Sequence, residues 1–207
     1  MKGQSAERGV RVAGVLLAAG ESRRMGETNK LLLPVDGHVL LARSVALLAQ
    51  SELSPQMVVL GHRLEDSAPV VSQEGVAFVI NAQYSDGQQS SVRAGLRAVA
   101  HDADAVLVML ADLPRLQAST LSALHAAVQS APEADAWVPA YKHTWGNPRV
   151  IGRPWCRALL ADPALTTRAL FERHPERVVV VPVDDAGILQ DLDTPDDYRA
   201  YLDQTVS

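Results

Sequence analysis

The chain has 207 residues and a mass of 22.2 kDa, room for one domain around one large core. Its hydrophobic content of 47% and charged content of 21% exclude a disordered chain. With 19 Lys+Arg against 24 Asp+Glu, a net charge of -5, the chain lacks the basic excess that binding nucleic acid by charge alone requires. The charge is uneven: residues 184–203 hold seven aspartates and one arginine, so that segment is -6 and the remainder +1.

The apolar run 12–19 follows Glu7, Arg8 and Arg11 and precedes Glu21, Arg23 and Arg24, which marks a buried strand rather than a signal peptide. No apolar stretch is long enough to span a bilayer, so no membrane association is expected. In chain order, strands are predicted at 11–18, 57–60, 77–81, 105–111, 136–140 and 178–183. Helices are predicted at 39–50, 90–100 and 119–130, with a pair inside 155–173. A last helix is announced by Thr194 as N-cap, Pro195 at the first helical position and Asp196 and Asp197 in the first turn. Strands buried on both faces and alternating with helices predict an α/β fold. We expect a single-domain, Rossmann-like three-layer sandwich over 1–207 with a mostly parallel central sheet, residues 1–9 being disordered. The lone Cys156 cannot form an internal disulfide, which fits the cytoplasm.

Ligands in such sheets bind beyond the carboxyl ends of the strands. The first strand runs into 19–30, a loop with Gly20, Gly26, Ser22 and the cations Arg23, Arg24 and Lys30. Glycines let backbone N–H groups approach phosphate oxygens, and the cations neutralise them. The loop fits neither the P-loop pattern nor the dinucleotide fingerprint. A solvated loop whose cations pair with Glu21 and Glu27 accounts for its composition equally well.

The stretch Leu17-Ala18-Ala19-Gly20-x-Ser22-x-Arg24-Met25-Gly26, followed by Asn29-Lys30-Leu31-Leu32-Leu33-Pro34, resembles the signature of nucleotidyltransferases related to the molybdenum-cofactor cytidylyltransferases and guanylyltransferases. The resemblance implies a GT-A-like nucleotidyltransferase fold whose loop wraps the triphosphate of a nucleotide. It would place the nucleotide against Leu17, Ala18, Ala19, Gly20, Ser22, Arg24, Met25, Gly26 and Lys30. The Leu-Ala-Ala-Gly form is more similar to the cytidylyltransferase branch, which implies CTP as donor.

Later segments carry both a structural and a functional reading. Ser90 is a plain helix N-cap on spacing alone. By the resemblance, Asn81, Ser90 and Ser91 contact the base and ribose. Asp112, after the most apolar strand, starts a turn before Pro114 or, as in the family, holds Mg²⁺. Asp193 precedes the last helix and complements its dipole, or is the second metal ligand. The segment Trp145-Gly146-Asn147-Pro148 resembles the part of the family that faces the acceptor pterin. It departs in having His143 where the family usually has Gly and Trp145 where it usually has Arg. A cation is lost, although an indole can stack on a flat heterocycle. Lone His143 reads as a loop residue.

The implied activity is Mg²⁺-dependent transfer of CMP from CTP to the phosphate of molybdopterin, with Arg24, Lys30 and Asp112 catalytic. The product would pass to a recipient molybdoenzyme or its chaperone. Two alternatives remain: a sugar phosphate or another phosphorylated metabolite as acceptor, and a non-catalytic protein that binds and delivers a cofactor.

Overall fold

The computed structural model describes residues 9–26 and 28–204, so most of the segment expected to be disordered lies outside the described residues. Strand β1 (Val12–Ala18) is buried along its whole length. It is followed by a short hairpin, β2 (Pro34–Val35) and β3 (His38–Val39), and then α1 (Leu40–Ala49), β4 (Gln56–Leu60), α2 (Leu64–Gln73), β5 (Phe78–Ile80) and α3 (Gln88–Val99). Next come β6 (Ala105–Leu110), α4 (Ala118–Ser130), β7 (Ala136–Tyr141), β8 (Thr144–Trp145), β9 (Arg149–Gly152), α5 (Arg153–Ala161), α6 (Thr167–Arg173), β10 (Val178–Pro182) and α7 (Pro195–Asp203).

The main sheet has the order β10-β7-β9-β6-β1-β4-β5, with β8 paired to β7. The neighbours β6, β1, β4 and β5 run parallel, as do β7 and β10, whereas β9 is antiparallel to both β6 and β7. Successive side chains of β1 point to opposite faces, and both faces are covered. Val12, Leu16 and Ala18 join Leu41, Leu48, Leu124 and Val128 on the side of α1 and α4. Ala13, Val15 and Leu17 join Val92, Leu96, Trp155, Leu159 and Phe171 on the side of α3, α5 and α6. This is the expected three-layer α/β sandwich. Among the described residues no helix is long and apolar enough to cross a membrane.

The expected strands are all present, and the expected helices begin and end within about two residues of their predicted bounds. Helix α2 is absent from the sequence expectations because Pro69 stands inside it, where a missing N–H and ring contact with the preceding turn oppose a helix. Strand β8 lies in the stretch read as an acceptor loop, and β9 follows directly after it. The two residues between β7 and β8, Lys142 and His143, have φ of 46° and 69°, the left-handed backbone of a tight hairpin. His143 is therefore a turn residue, at a position where glycine is the easier choice.

The acidic carboxy-terminal segment is folded. Asp185 is buried; it accepts hydrogen bonds from Gln117 N at 3.0 Å and Thr120 Oγ1 at 2.7 Å, at the start of α4, and from Gly187 N at 2.8 Å. Thr194 caps α7 through a hydrogen bond from Asp197 N, and Asp197 Oδ2 accepts from Thr194 N at 2.7 Å, a reciprocal capping box. Hydrogen bonds from the Thr194 hydroxyl and backbone hold the Asp197 carboxyl below its ordinary value of 3.8. A depressed carboxyl stabilises the fold above its unfolded-state pKa and ceases to do so as pH falls through its folded-state pKa. Thr194→Ala should therefore cost about 1 kcal/mol in urea unfolding at pH 7, as loss of an N-cap typically does. The deficit should shrink when unfolding is repeated below the ordinary carboxyl range.

Candidate active site

The carboxyl ends of β1 and β6 open on a cavity of about 400 Å³. Its walls include Leu17, Ala18, Ala19, Gly20, Ser22, Arg24 and Lys30 from the first loop, with Asp112 and Asp193. At its centre the Lys30 ammonium donates to Asp112 Oδ2 at 2.7 Å and to Asp193 Oδ1 at 2.8 Å. Arg24 pairs with the other oxygen of Asp193 at 2.6 Å. Burial disfavours the charge on Lys30, but Asp112 and Asp193 outweigh it and raise its pKa above 10.5. Burial likewise works to raise Asp193, and the Lys30 hydrogen bond and charge, with Arg24, hold it below 3.8. Nearby, partial burial and then the charges of Asp193 and Asp112 push Asp191 above 3.8.

The backbone dictates this meeting. Leu192 N donates to the Asp112 carbonyl at 2.9 Å, which ties the carboxy-terminal segment to the end of β6 and sets Asp193 beside Asp112. The capping box then fixes the chain direction immediately after it, with Asp193 N donating to Asp197 Oδ2 at 3.1 Å. Helix-dipole complementation alone does not account for Asp193, whose oxygens are engaged by Lys30 and Arg24.

Three observations mark the cavity as a place for a ligand. Asp112 Oδ1 is buried without a hydrogen-bond partner among the described residues, so its carboxylate does not serve a turn before Pro114. Ser22 Oγ is similarly orphaned, on a residue with φ of 53°, backbone strain that a serine carries at a cost of order 1–3 kcal/mol. Gly20 needs no special backbone angle, and an added Cβ would meet nothing within 4 Å; space in the wall is what glycine leaves there. The loop cations divide: Arg23 pairs with Glu21 at 2.7 Å, as in the solvated-loop reading, whereas Arg24 and Lys30 face the carboxylates. Glu27 lies outside the described residues.

The remaining expected residues are dispersed. Ser91 lines the cavity, as do Gly87 and Gln88 at the start of α3. Helix α3 begins at Gln88 with Gly87 as its cap, so Ser90 is not the N-cap; its hydroxyl donates to Gly87 O at 2.8 Å. Asn81 is buried and donates to Ser90 Oγ at 2.8 Å and Ser91 Oγ at 3.0 Å, so it braces the start of α3 from outside the cavity wall. Met25 is buried behind the loop, and Gly26 faces a separate surface hollow with Thr28 and His62.

Trp145 and Asn147 line a second cavity of about 620 Å³, which shares Leu17, Gln88 and Leu110 with the first. Gly146 and Pro148 do not line it. An added Cβ on Gly146 would come within 2.5 Å of Ile188 O, so this glycine permits close packing of the carboxy-terminal segment, where Asn147 N donates to Ile188 O at 3.0 Å. The sequence reading missed Arg149 and Phe171, both in the wall of this cavity: 149–152 was not recognised as a strand, and Phe171, inside a predicted helix, was given no role.

An α/β sheet with a cationic, glycine-containing loop after its first strand and a carboxylate pair at its carboxyl edge has the layout of a nucleotidyltransferase. The chain belongs to the MobA-like NTP transferase domain family, whose pattern matches residues 14–178, and it is a nucleotidyltransferase by that membership. It is 33% identical to the purine catabolism protein PucB of Bacillus subtilis (strain 168), over 89% of this chain and 93% of that protein. It is 29% identical to nicotine blue oxidoreductase of Paenarthrobacter nicotinovorans, over 88% of this chain and 92% of that one. Among solved structures, Rv0371c from Mycobacterium tuberculosis superposes with a TM-score of 0.78 at 26% identity, covering 95% of this chain and 99% of that chain; it has also been crystallised with manganese.

The Lys30 bridge is testable without substrate. Lys30→Met leaves two carboxylates facing each other without their shared counter-ion and should cost about 1–3 kcal/mol. In a double-mutant cycle with Asp193→Asn, unfolding free energies should be non-additive by about 0.5 kcal/mol or more, as for residues in direct contact. Additive effects would mean that the bridge does not form in solution.

Proposed function

We propose that the protein transfers CMP from CTP to the phosphate of molybdopterin and releases pyrophosphate. The observation that carries the reading is the orphaned Asp112 Oδ1, held at the sheet's carboxyl edge beside Asp193 in a cavity lined by Arg24 and Lys30. Hard oxygen donors with a free carboxylate oxygen fit Mg²⁺, which binds through one or two carboxylates and completes its shell with phosphate oxygens. Among the described residues no group of three or more His, Cys, Asp or Glu side chains forms a closed metal cage, which agrees with a metal that arrives with the nucleotide. Asp112 and Asp193 would hold the ion, which supplies charge neutralisation on the phosphates when bound.

The chain's own groups do the rest. Backbone N–H groups at Ala19 and Gly20 and the side chains of Ser22, Arg24 and Lys30 align the triphosphate. The cations offset charge on its β and γ groups as it builds on the leaving pyrophosphate. The acceptor phosphate is already anionic, so its oxygen attacks the α-phosphorus without a general base; the new P–O bond forms as the bond to pyrophosphate breaks, and that electron pair leaves with pyrophosphate. Juxtaposition of the two cavities at Leu17, Gln88 and Leu110 supports direct transfer between two bound substrates. The Leu17-Ala18-Ala19-Gly20 tetrapeptide favours CTP. The cytoplasm is the proposed location, with a molybdoenzyme or its chaperone as recipient.

Pyrophosphate release with each of the four nucleoside triphosphates, against molybdopterin and a set of sugar phosphates, tests the reading. CTP with molybdopterin should be the productive pair, and Asp112→Asn should lower turnover by roughly a hundredfold or more, as loss of an electrostatic stabiliser does. Turnover with a sugar phosphate instead would reassign the acceptor, and tight CTP binding with no turnover would make the protein a carrier.

A further inference from the structure

The three segments that meet at the Lys30 ammonium are gripped a second time at α7, through residues that do not line the first cavity. The segment that carries Lys30 runs on through a 3₁₀ turn, Lys30–Leu32, into the hairpin of β2 and β3. Tyr198 donates its hydroxyl to the Pro34 carbonyl of that hairpin at 2.8 Å, and Tyr201 donates to Asp36 Oδ1, at the hairpin tip, at 2.7 Å. The segment that carries Asp112 continues to Arg115, whose guanidinium carbon lies 4.9 Å from the centre of the Tyr201 ring. Arg115 also donates to Tyr201 O at 3.3 Å. The third segment becomes α7 itself, which starts two residues after Asp193. Tyr201 thus belongs to one of the three segments and holds the other two.

This second grip is built to stay closed. Tyr201 is 5% exposed and shares a core layer with Leu31 and Val35 of the first segment, Leu113 and Leu116 of the second and Leu192 of the third. Burial, and then the hydrogen bond and charge of Asp36, push the Tyr201 phenol up to about 12, so it remains a protonated donor across the neutral range. The Lys30 bridge is of the opposite kind. It is an ammonium on a flexible four-carbon stem, paired with two carboxylates. On the nucleotidyltransferase reading, Lys30 turns from those carboxylates to a phosphate when the nucleotide binds. The bridge then ceases to join the three segments, and a tie outside the cavity has to keep them aligned.

We propose that Tyr201 is a positioning residue for the Lys30, Asp112 and Asp193 site: its hydroxyl on Asp36 and its ring against Arg115 hold the three segments in register while the Lys30 bridge is exchanged for a ligand. Tyr198 supports the same hairpin through Pro34. Alignment of the three segments counts most in the transition state, where all of them act together, so its loss weakens turnover more than substrate binding. The inference rests on the nucleotidyltransferase reading for the exchange, but the tie between Tyr201 and the bridge is separable from that reading and is measurable without substrate.

Tyr201→Phe keeps the ring and removes only the hydroxyl. In that background the coupling between Lys30→Met and Asp193→Asn, read from unfolding, should fall by about half or more, although Tyr201 lies outside the cavity wall. Asp36→Ala should do the same. Asp36→Asn keeps an acceptor oxygen and tolerates the left-handed backbone of the hairpin tip, so it should preserve the coupling. In pyrophosphate release, Tyr201→Phe should lower kcat by about tenfold or more, with a smaller change in KM for CTP. A tyrosine that only stabilises the fold would lower the melting temperature and leave the coupling and kcat at wild-type values; an unchanged coupling or an unchanged kcat in the folded variant overturns the proposal. So does an Asp36→Asn protein as impaired as Asp36→Ala. Reduced coupling in a protein that releases pyrophosphate from none of the four nucleotides would keep the tie and remove the nucleotidyltransferase reading; turnover of CTP that Tyr201→Phe leaves untouched, with the coupling intact, would do the reverse.

Discussion

The site depends on one ammonium group. Lys30 joins two carboxylates that stand 82 and 163 residues away in the chain, at 2.7 and 2.8 Å, and thereby fastens the first loop, the end of the central strand and the carboxy-terminal segment to one another. Brought together without a cation, Asp112 and Asp193 would repel each other. With Lys30 and Arg24 present, Asp193 stays ionised, and one oxygen of Asp112 is left over. That arrangement suits a site that must accept a polyanion and its counter-ion in exchange for internal pairs.

The rest of the fold serves this meeting. β1 is buried on both faces, so the loop that leaves it starts from a rigid point, and the hydrogen bond from Leu192 N to Asp112 O fixes the returning segment to β6. The antiparallel β9, inserted between β6 and β7, brings Arg149 and Ile151 into the wall of the second cavity. The two cavities share Leu17, Gln88 and Leu110, so packing around β1 and β6 governs how they are spaced.

The parallel core was legible because continuous Val/Leu runs have only one common use, a strand covered on both sides. The last helix was legible from Thr194, Pro195, Asp196 and Asp197, whose capping chemistry is local. Less was legible where tertiary contact decides. Helix α2 forms despite Pro69, and β9 is four residues long and forms in the wall of a site. The hairpin of β2 and β3 had a signal that the reading passed over: Asp36-Gly37, with φ of 49° and 82°, is the dipeptide that such a turn prefers. In the site, Asp112 and Lys30 could be found from motif and position. Arg149 could not, because 149–152 is too short to read as a strand, and only its pairing with β6 brings Arg149 to the second cavity. Asn81 and Ser90 show the opposite case, polar residues in the right segment whose hydrogen bonds are spent on each other and on the start of α3. The acidic terminus likewise resolves into separate tasks: Asp185 is tied to the start of α4, Asp197 completes the capping box that Thr194 opens on α7, and Asp193 enters the cavity.

The proposed site at the carboxyl ends of β1 and β6 would hold a nucleoside triphosphate through a divalent cation on Asp112, with Lys30 shifting from a bridge between carboxylates to a partner of the phosphates. Crystals grown with Mn²⁺ and a non-hydrolysable CTP analogue test it most directly, through the anomalous signal of the metal. The account predicts one strong peak bonded to an Asp112 carboxylate oxygen and to phosphate oxygens, with Lys30 Nζ against the triphosphate. A metal peak away from Asp112, or a nucleotide seated elsewhere with the Lys30 bridge unchanged, would contradict it.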